Sequence, residues 1–381
     1  MKRDSGASVL EFFAGGGMAR LGLEPAFDVG FANDVDPVKA AHYERVFGAG
    51  IMRCADVWSL TPADLPRSAA LAWASFPCQD LSLAGGRGGL DAPRSGAFWG
   101  FWRLMQGLER DGRAPPVIAL ENVVGLLSSR RGADFDALAT ALAQGGYWFG
   151  ALTLDAAAFT PQSRPRLFIV ASRAPPPSHL LAGGPPATRA GATIAARFSA
   201  LPETVRRRAV WWAVPAPPRR NTMLADVIDA SPAGVCWNAP DKTARLLALM
   251  SPRQAAQVDA RRRAGGRHVG ALFRRIRTEN GAKVQRAEVR FDGLAGCLRT
   301  PAGGSSRQTL LIVDDGAVRS RLISPREAAR LMGLPDDYPL PASQTAALHL
   351  LGDGVASPVV RWLSEHLLAP LAGLEPRRRA A

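Results

Sequence analysis

The chain has 381 residues, 47% of them hydrophobic and 21% charged. That length suits two domains of about 150 residues each, and that composition excludes a disordered polyampholyte. With 47 Lys and Arg against 33 Asp and Glu, the formal net charge is +14, which favours a polyanionic partner, nucleic acid ahead of an anionic membrane surface. There is no run of roughly 18 apolar residues to span a membrane, and Met1 to Ser8 has no apolar signal-peptide core. Cys54, Cys78, Cys236 and Cys297 form no C-x-x-C pair and have no His at zinc spacing. A reduced, cytoplasmic protein with free thiols and no structural metal is therefore expected.

Ser8-Val9-Leu10-Glu11-Phe12-Phe13 reads as a buried strand ending in Ala14-Gly15-Gly16-Gly17, with a helical pattern from Met18 to Leu23. Asp28–Ala32 reads as a second strand ending at Asn33-Asp34, and Leu71–Ser75, Val117–Leu120, Ala151–Leu154 and Leu167–Val170 as further strands. Phe98, Trp99, Phe101 and Trp102 recur at helical spacing and read as core. Strand and helix in alternation predict an α/β fold with a doubly wound, Rossmann-like sheet. The Pro/Gly-rich stretch from Ala174 to Pro186 reads as a linker. Residues 201–300 hold 19 Lys and Arg against 8 Asp and Glu, a net of +11. Clusters at Arg206–Arg208, Arg219–Arg220, Arg261–Arg263 with Arg267, and Arg274–Arg277 suggest a phosphate-contacting surface there. The adjacent Trp211 and Trp212 are candidates for stacking on bases.

Ligands of such sheets sit at the carboxyl ends of the strands. Gly15, Gly16 and Gly17 would let backbone approach a ligand where a Cβ would intrude. Asp34, ending the second strand, is placed to accept from a ribose, and Asp56 from an adenine amino group. The spacing is not G-x-G-x-x-G, which counts against a dinucleotide and permits a smaller nucleoside such as S-adenosylmethionine. In Ser75-Phe76-Pro77-Cys78-Gln79-Asp80, a Cys follows Pro just past an apolar strand, where an accessible thiolate could act as a nucleophile. Glu121-Asn122-Val123 puts a carboxyl group at another strand end, and Gln162-Ser163-Arg164-Pro165-Arg166 brings two guanidinium groups to the same edge. A thiol, an acid and paired arginines suit attack on an electron-poor ring.

These segments together resemble the DNA (cytosine-5-)-methyltransferase family. Phe13-Ala14-Gly15-Gly16-Gly17 resembles its first cofactor motif, Asn33-Asp34-Val35 its second, Pro77-Cys78-Gln79 its catalytic motif, Glu121-Asn122-Val123 its acid motif and Gln162-x-Arg164-x-Arg166 its arginine motif. Arg321-Leu322-Ile323-Ser324-Pro325-Arg326-Glu327 resembles the R-x-L-T-P-R-E element, and Gly352-Asp353-Gly354-Val355 stands at the last motif. The resemblance implies a methyltransferase domain over 1–174, a smaller basic target-recognition domain over 175–320, and a return to the catalytic domain over 321–381. It implies S-adenosyl-L-methionine as cofactor, leaving S-adenosyl-L-homocysteine, held by Phe13, Ala14, Gly15, Gly17, Asp34, Val35, Asp56 and Pro77. The implied catalytic set is Cys78, Glu121, Arg164 and Arg166: Cys78 adds to carbon 6 of a flipped-out cytosine, Glu121 bonds N3 and the exocyclic amine, and Arg166 holds the carbonyl oxygen. Arg164 would hold a flanking phosphate or the neighbouring loop.

Ser82, Arg299, Thr300, Ser305, Ser306 and Arg307 are the implied DNA contacts, and Leu81 to Gly96 would form a lid over the flipped base. The chain departs from the family pattern where Glu11 stands for Asp, Met18 for a frequent Gly, and Asp353 for Asn; Asp353 is left out of the catalytic set. The implied partner is double-stranded DNA, met by a monomer in the bacterial cytoplasm at the nucleoid, with a separately encoded cognate restriction endonuclease for a restriction-modification enzyme and none for a solitary one. Two other readings share the scaffold: a tRNA cytosine-5 methyltransferase and an inactive DNA-binding member. The size and charge of the middle section favour DNA.

Overall fold

The structure, a computed structural model, describes residues 7–77, 96–279, 281–300 and 307–374. The first two apolar runs become parallel neighbours, β1 (Ser8–Phe12) and β2 (Asp28–Asp34), connected by α1 (Met18–Leu23). After α2 (Pro37–Phe47) come β3 (Met52–Cys54), β4 (Leu71–Ala74), α3 (Ala97–Arg110), β5 (Val117–Val123) and α4 (Ala133–Gln144). Then follow β6 (Trp148–Asp155), β7 (Pro165–Ser172), α5 (Arg189–Ala200) and the single turn α6 (Glu203–Arg206).

The seven strands lie in the order β3-β2-β1-β4-β5-β7-β6, parallel except that β7 runs antiparallel to both neighbours. Central strands read as unbroken apolar runs because helices cover both faces of the sheet. On α3, Phe98, Phe101, Leu104, Met105 and Leu108 recur at three- and four-residue steps and are all buried, as the periodicity predicts. The Phe101 ring meets Phe12 of β1 edge-on at 5.1 Å; each such fully buried ring contributes roughly 1.5–3 kcal/mol. Between β1 and β4 the strand order reverses. That switch point opens a crevice at the carboxyl ends, bordered by the residues that follow Phe12 and Ala74.

The stretch read as a linker is packed instead. Leu180 is buried, the amide of Ala182 donates to Trp211 O at 2.8 Å, and Ala213 donates back to Leu180 O at 2.8 Å. Trp212 is buried in this pairing and the Trp211 ring packs, tilted, at 4.8 Å from Phe198, so neither ring is presented for base stacking. The chain divides into two compact units, one of Met1–Asp155, Pro165–Pro217 and Gly354–Ala381, the other of Ala156–Arg164 and Pro218–Asp353. The units divide at 217/218 and 353/354, whereas the domain bounds expected from the sequence are 174/175 and 320/321. Apolar residues of 194–205, among them Phe198 on Phe149, complete the first core. The Arg206–Arg208 cluster therefore lies in the first unit, where Arg206 and Arg207 ion-pair with Glu203.

The second unit contains α7 (Leu224–Val227), α8 (Pro240–Ala248), α9 (Pro252–Ala264), β8 (Arg267–Glu279), β9 (Ala282–Arg290), β10 (Thr309–Asp314), β11 (Ala317–Leu322), α10 (Pro325–Leu331) and α11 (Gln344–Asp353). Its strands form an antiparallel sheet, β11-β10-β8-β9. Met250 and Val258 pack on Leu272, Val289, Leu311 and Val313. The helix α12 (Ser357–Leu363) belongs to the first unit: a Cβ on Gly22 would lie 2.5 Å from that of Val360, and the Ser357 hydroxyl donates to Met18 O at 2.8 Å. No helix among the described residues is long and apolar enough to cross a membrane.

Candidate functional site

At the switch point, β1 gives way to a turn held in unusual backbone. Phe13 has φ +58° and Gly15 φ +55°; a bulky residue in the left-handed region is strained, a condition that collects at ligand sites. Nothing lies within 4 Å of a Cβ built on Gly15, so this face of the turn is open. Gly17 differs. A Cβ there would meet Phe47 at 2.2 Å and Tyr43 at 3.0 Å, so the space attributed to a ligand is filled by aromatic rings of α2. Ala14 is buried, its amide bonded to Asn33 O at 2.9 Å.

Asp34 ends β2 with both carboxylate oxygens engaged, accepting from Gly15 N at 2.8 Å and Asp36 N at 2.9 Å. Its neighbour Val35 is 66% exposed, a large apolar side chain facing out at a strand end. Asn33, a member of the second motif with no side-chain role expected from sequence, donates to Arg53 O at 2.9 Å and Ala55 O at 2.8 Å, fixing the segment that carries Asp56. Asp56 is exposed and accepts from Trp58 N at 2.9 Å. Below the turn, buried Glu11 accepts from Arg20 N in the first turn of α1 at 3.2 Å and from the Tyr43 hydroxyl at 2.9 Å. Burial pushes its carboxyl up to about 7, and burial also raises the Tyr43 phenol.

The acid and arginine motifs meet across one ladder. Glu121 of β5 pairs with Phe168 and Val123 with Arg166, which puts Glu121 and Arg166 diagonally on one face of the sheet. Glu121 Oε1 accepts from Arg166 Nε at 3.0 Å, both side chains largely buried. Asn122 Nδ2 donates to Phe76 O at 3.2 Å, so the residue beside the acid holds the backbone that runs into Pro77. Pro77 is half-buried at the crevice rim. Cys78, Ser82, Ser305 and Ser306 lie outside the described residues, as does all of the expected lid except Gly96.

Arg164 belongs to the second unit and is turned inward. At 2% exposure it donates to Leu298 O at 2.8 Å and Gly352 O at 2.9 Å. Of the two expected contacts, a flanking phosphate or the neighbouring loop, it makes the one to the loop. Gln162 spans the same place. Its Oε1 accepts from Leu298 N at 3.0 Å while Nε2 donates to Leu331 O at 2.9 Å. A Cβ on Gly352 would lie 2.6 Å from Thr300 N and 2.7 Å from the Arg299 carbonyl carbon, so only glycine admits that backbone. These residues anchor the segment ending in exposed Arg299 and in Thr300, whose hydroxyl donates to Asp353. Arg307, on the far side of the undescribed 301–306, donates to Thr345 Oγ1 at 3.1 Å.

In the R-x-L-x-P-R-E element, Arg321 and Glu327 form a fully buried bidentate pair at 2.9 and 2.6 Å. Glu327 also accepts from Ser324 N at 2.8 Å, closing a capping box on α10. This element is scaffold.

A profile of C-5 cytosine-specific DNA methylases matches residues 7–369. The Type II methyltransferase M.NlaX of Neisseria lactamica is 26% identical over 374 residues, 97% of this chain and 99% of that one. M2.BsuMI of Bacillus subtilis is 36% identical over 166 residues, 43% of this chain and 41% of that one. Among solved structures, the S. pombe Dnmt2 methyltransferase superposes with a TM-score of 0.59 at 17% identity, covering 95% of this chain and 98% of that one, a likeness of fold. With the family profile matched along nearly its whole length, the chain belongs to the C-5 cytosine-specific DNA methylase family.

Proposed function

We propose that this DNA cytosine-5 methyltransferase takes its methyl group from S-adenosylmethionine and modifies a flipped-out cytosine within a specific sequence of double-stranded DNA, through a covalent adduct with Cys78. The observation that carries this reading is the Glu121–Arg166 pair at 3.0 Å on the strand ends, beside the backbone that Asn122 holds just before Cys78.

The residues around the switch point fit a nucleoside. The face above Gly15 is open, and Asp34, engaged once on each oxygen by amides, keeps lone pairs for ribose hydroxyls. Exposed Val35, with Phe13, would flank the adenine, and Asp56 would accept from its amine. Ala14, Gly15, Gly17 and Pro77 complete this set, with Gly17 acting through the shape of the turn. When bound, S-adenosylmethionine supplies the electrophilic sulfonium methyl that an activated carbon 5 takes up.

Carbon 5 of cytosine is a poor nucleophile and is inaccessible inside a duplex, so the base must leave the stack at a cost of a few kcal/mol. Cys78 Sγ, as thiolate, bonds to carbon 6 and pushes electron density towards carbon 5. Glu121 bonds N3 and the exocyclic amine as charge develops there, and Arg166, fixed by Glu121, holds the carbonyl oxygen. Loss of the proton on carbon 5 restores the ring double bond and expels Cys78. The second unit, with Arg299, Thr300 and Arg307 and the undescribed Ser82, Ser305 and Ser306, is assigned to DNA contact. Asp353 accepts the Thr300 hydroxyl and so orders that segment. The enzyme is read as a cytoplasmic monomer on nucleoid DNA, and the Type II relatives suggest a cognate endonuclease encoded separately.

Transfer of labelled methyl to duplex DNA and to bulk tRNA, with wild type and Cys78→Ala, tests this. Labelling of DNA that the substitution abolishes is expected, and sequencing the product gives the recognised word. Labelling of tRNA alone, or undiminished DNA labelling by the variant, overturns it.

A further inference from the structure

The second unit carries a two-stranded ribbon that leaves its sheet. The ladder between β8 and β10 ends at Leu272↔Thr309, whereas β8 stays paired with β9 from Phe273↔Glu288 to Glu279↔Ala282. Seven residues of each strand, about 20 Å at strand rise, thus stand clear of β10. Beyond Ala287, which is buried beside Met250 and lies opposite Arg274, such a hairpin gains little from packing, so its outer side chains are free to serve another purpose.

Its two faces differ. On one, Arg277 and Arg275 ion-pair with Glu288 at 2.5 and 3.5 Å, and Arg286 pairs with Glu279 at 2.5 Å. On the other, Arg274, Ile276, Thr278, Lys283 and Gln285 are all exposed. This face has two cations and no carboxylate, and among the described residues neither cation has an ion-pair partner. At its centre Ile276, directly opposite Gln285, is 60% exposed.

We propose that this ribbon lies in the major groove of duplex DNA, with Ile276 and Gln285 against base edges and Arg274 and Lys283 on the flanking phosphates. The inference rests on duplex DNA being the substrate. A major groove about 12 Å wide admits a two-stranded ribbon; glutamine matches adenine and an apolar side chain the thymine methyl. A cationic face complements the phosphates, while ion pairing leaves the opposite face little attraction for them. An exposed Ile between two cations suits a groove and is of no use to a solvated edge.

The test is binding of the full chain to duplex oligonucleotides across a salt series, scored apart from methyl transfer. The double variant Arg274→Gln/Lys283→Gln is expected to flatten the slope of log K against log salt by about 1.8, at 0.9 per phosphate contact. It should also weaken binding at least tenfold at physiological salt. Arg275→Gln, on the paired face, should leave the slope unchanged. Ile276→Thr/Gln285→Thr, which keeps strand propensity, should keep the slope and lose most preference for the methylated word. Wild-type slope and preference in these variants, with wild type still methylating DNA, would overturn the ribbon and spare the function. If wild type instead binds and methylates folded RNA alone, both readings fall.

Discussion

Glu11→Gln isolates one titration beneath the glycine turn that follows β1. Buried Glu11 holds its proton up to about 7, against an ordinary value of 4.5. Between those values folding takes up a proton, because the unfolded chain has already ionised there and the folded one has not. Stability from this group is therefore complete below pH 4.5 and lost as pH rises through 7. At 1.36 kcal/mol per pKa unit the loss is about 3 kcal/mol. Gln has the shape of the protonated acid: its oxygen can accept from Arg20 N, and its amide group stands where the acid hydroxyl faces Tyr43. Thermal unfolding of both proteins from about pH 5 to about pH 8.5 reads the difference. The variant should nearly match wild type at the acid end and exceed it by about 3 kcal/mol at the alkaline end. At roughly 2–4 °C per kcal/mol for a domain of 150–250 residues, that is about 6–12 °C. Melting curves that stay parallel across the range would show that Glu11 ionises normally in the fold and would refute the reasoning.

The neighbouring His42 acts with the opposite sign: burial, aided by Arg45, lowers it to about 4, so its contribution is present above 6.5 and lost as pH falls. His42→Asn should gain stability relative to wild type below about pH 6, and a flat difference in acid-range melting would count against it. Arg321→Met strands the Glu327 carboxylate and should cost about 3–5 kcal/mol, while adding Glu327→Leu should recover most of it; denaturation of the two proteins decides. Gly352→Ala forces a Cβ 2.6 Å from Thr300 N. It should cost about 1–3 kcal/mol and lower methyl transfer to DNA more than it lowers melting temperature; unchanged transfer would sever Gly352 from the Thr300 segment.

The strands were legible because a central parallel strand is a continuous apolar run, as Val117 to Leu120 and Leu167 to Val170 are. β3 was not, since only Met52 of its three residues is buried and a three-residue run has no periodicity to detect. The stretch 174–186 packs rather than forming a linker for a definite reason. Prolines at 175–177 and 185–186 signal irregular backbone, which is what they form, but they say nothing of whether that backbone packs. Buried Leu180, which accepts from Ala213 N, and the bridge of Leu181 to Trp212 decide that, across some 30 positions of sequence. In the same way, glycine at 17 announces a missing side chain without saying whether a ligand or Phe47 fills the space.

Within the site, charge was the legible property and direction was not. Arg164 and Arg166 sit two positions apart in a motif and look equivalent by charge. The residue at 166 lies in a ladder that turns it onto Glu121, whereas the one at 164 precedes the strand and is buried on carbonyls of 298 and 352. A buried guanidinium whose donors meet backbone carbonyls holds chain segments in place, and the amides of Asn33, Asn122 and Gln162 do likewise. Each is a motif residue or stands beside one, and each spans segments distant in sequence, since a long polar side chain with fixed donors can tie two backbones where a short apolar one can only fill a gap. The uncharged members of these motifs thus hold the backbone segments beside the charged ones, and removing them should alter turnover while the charges remain.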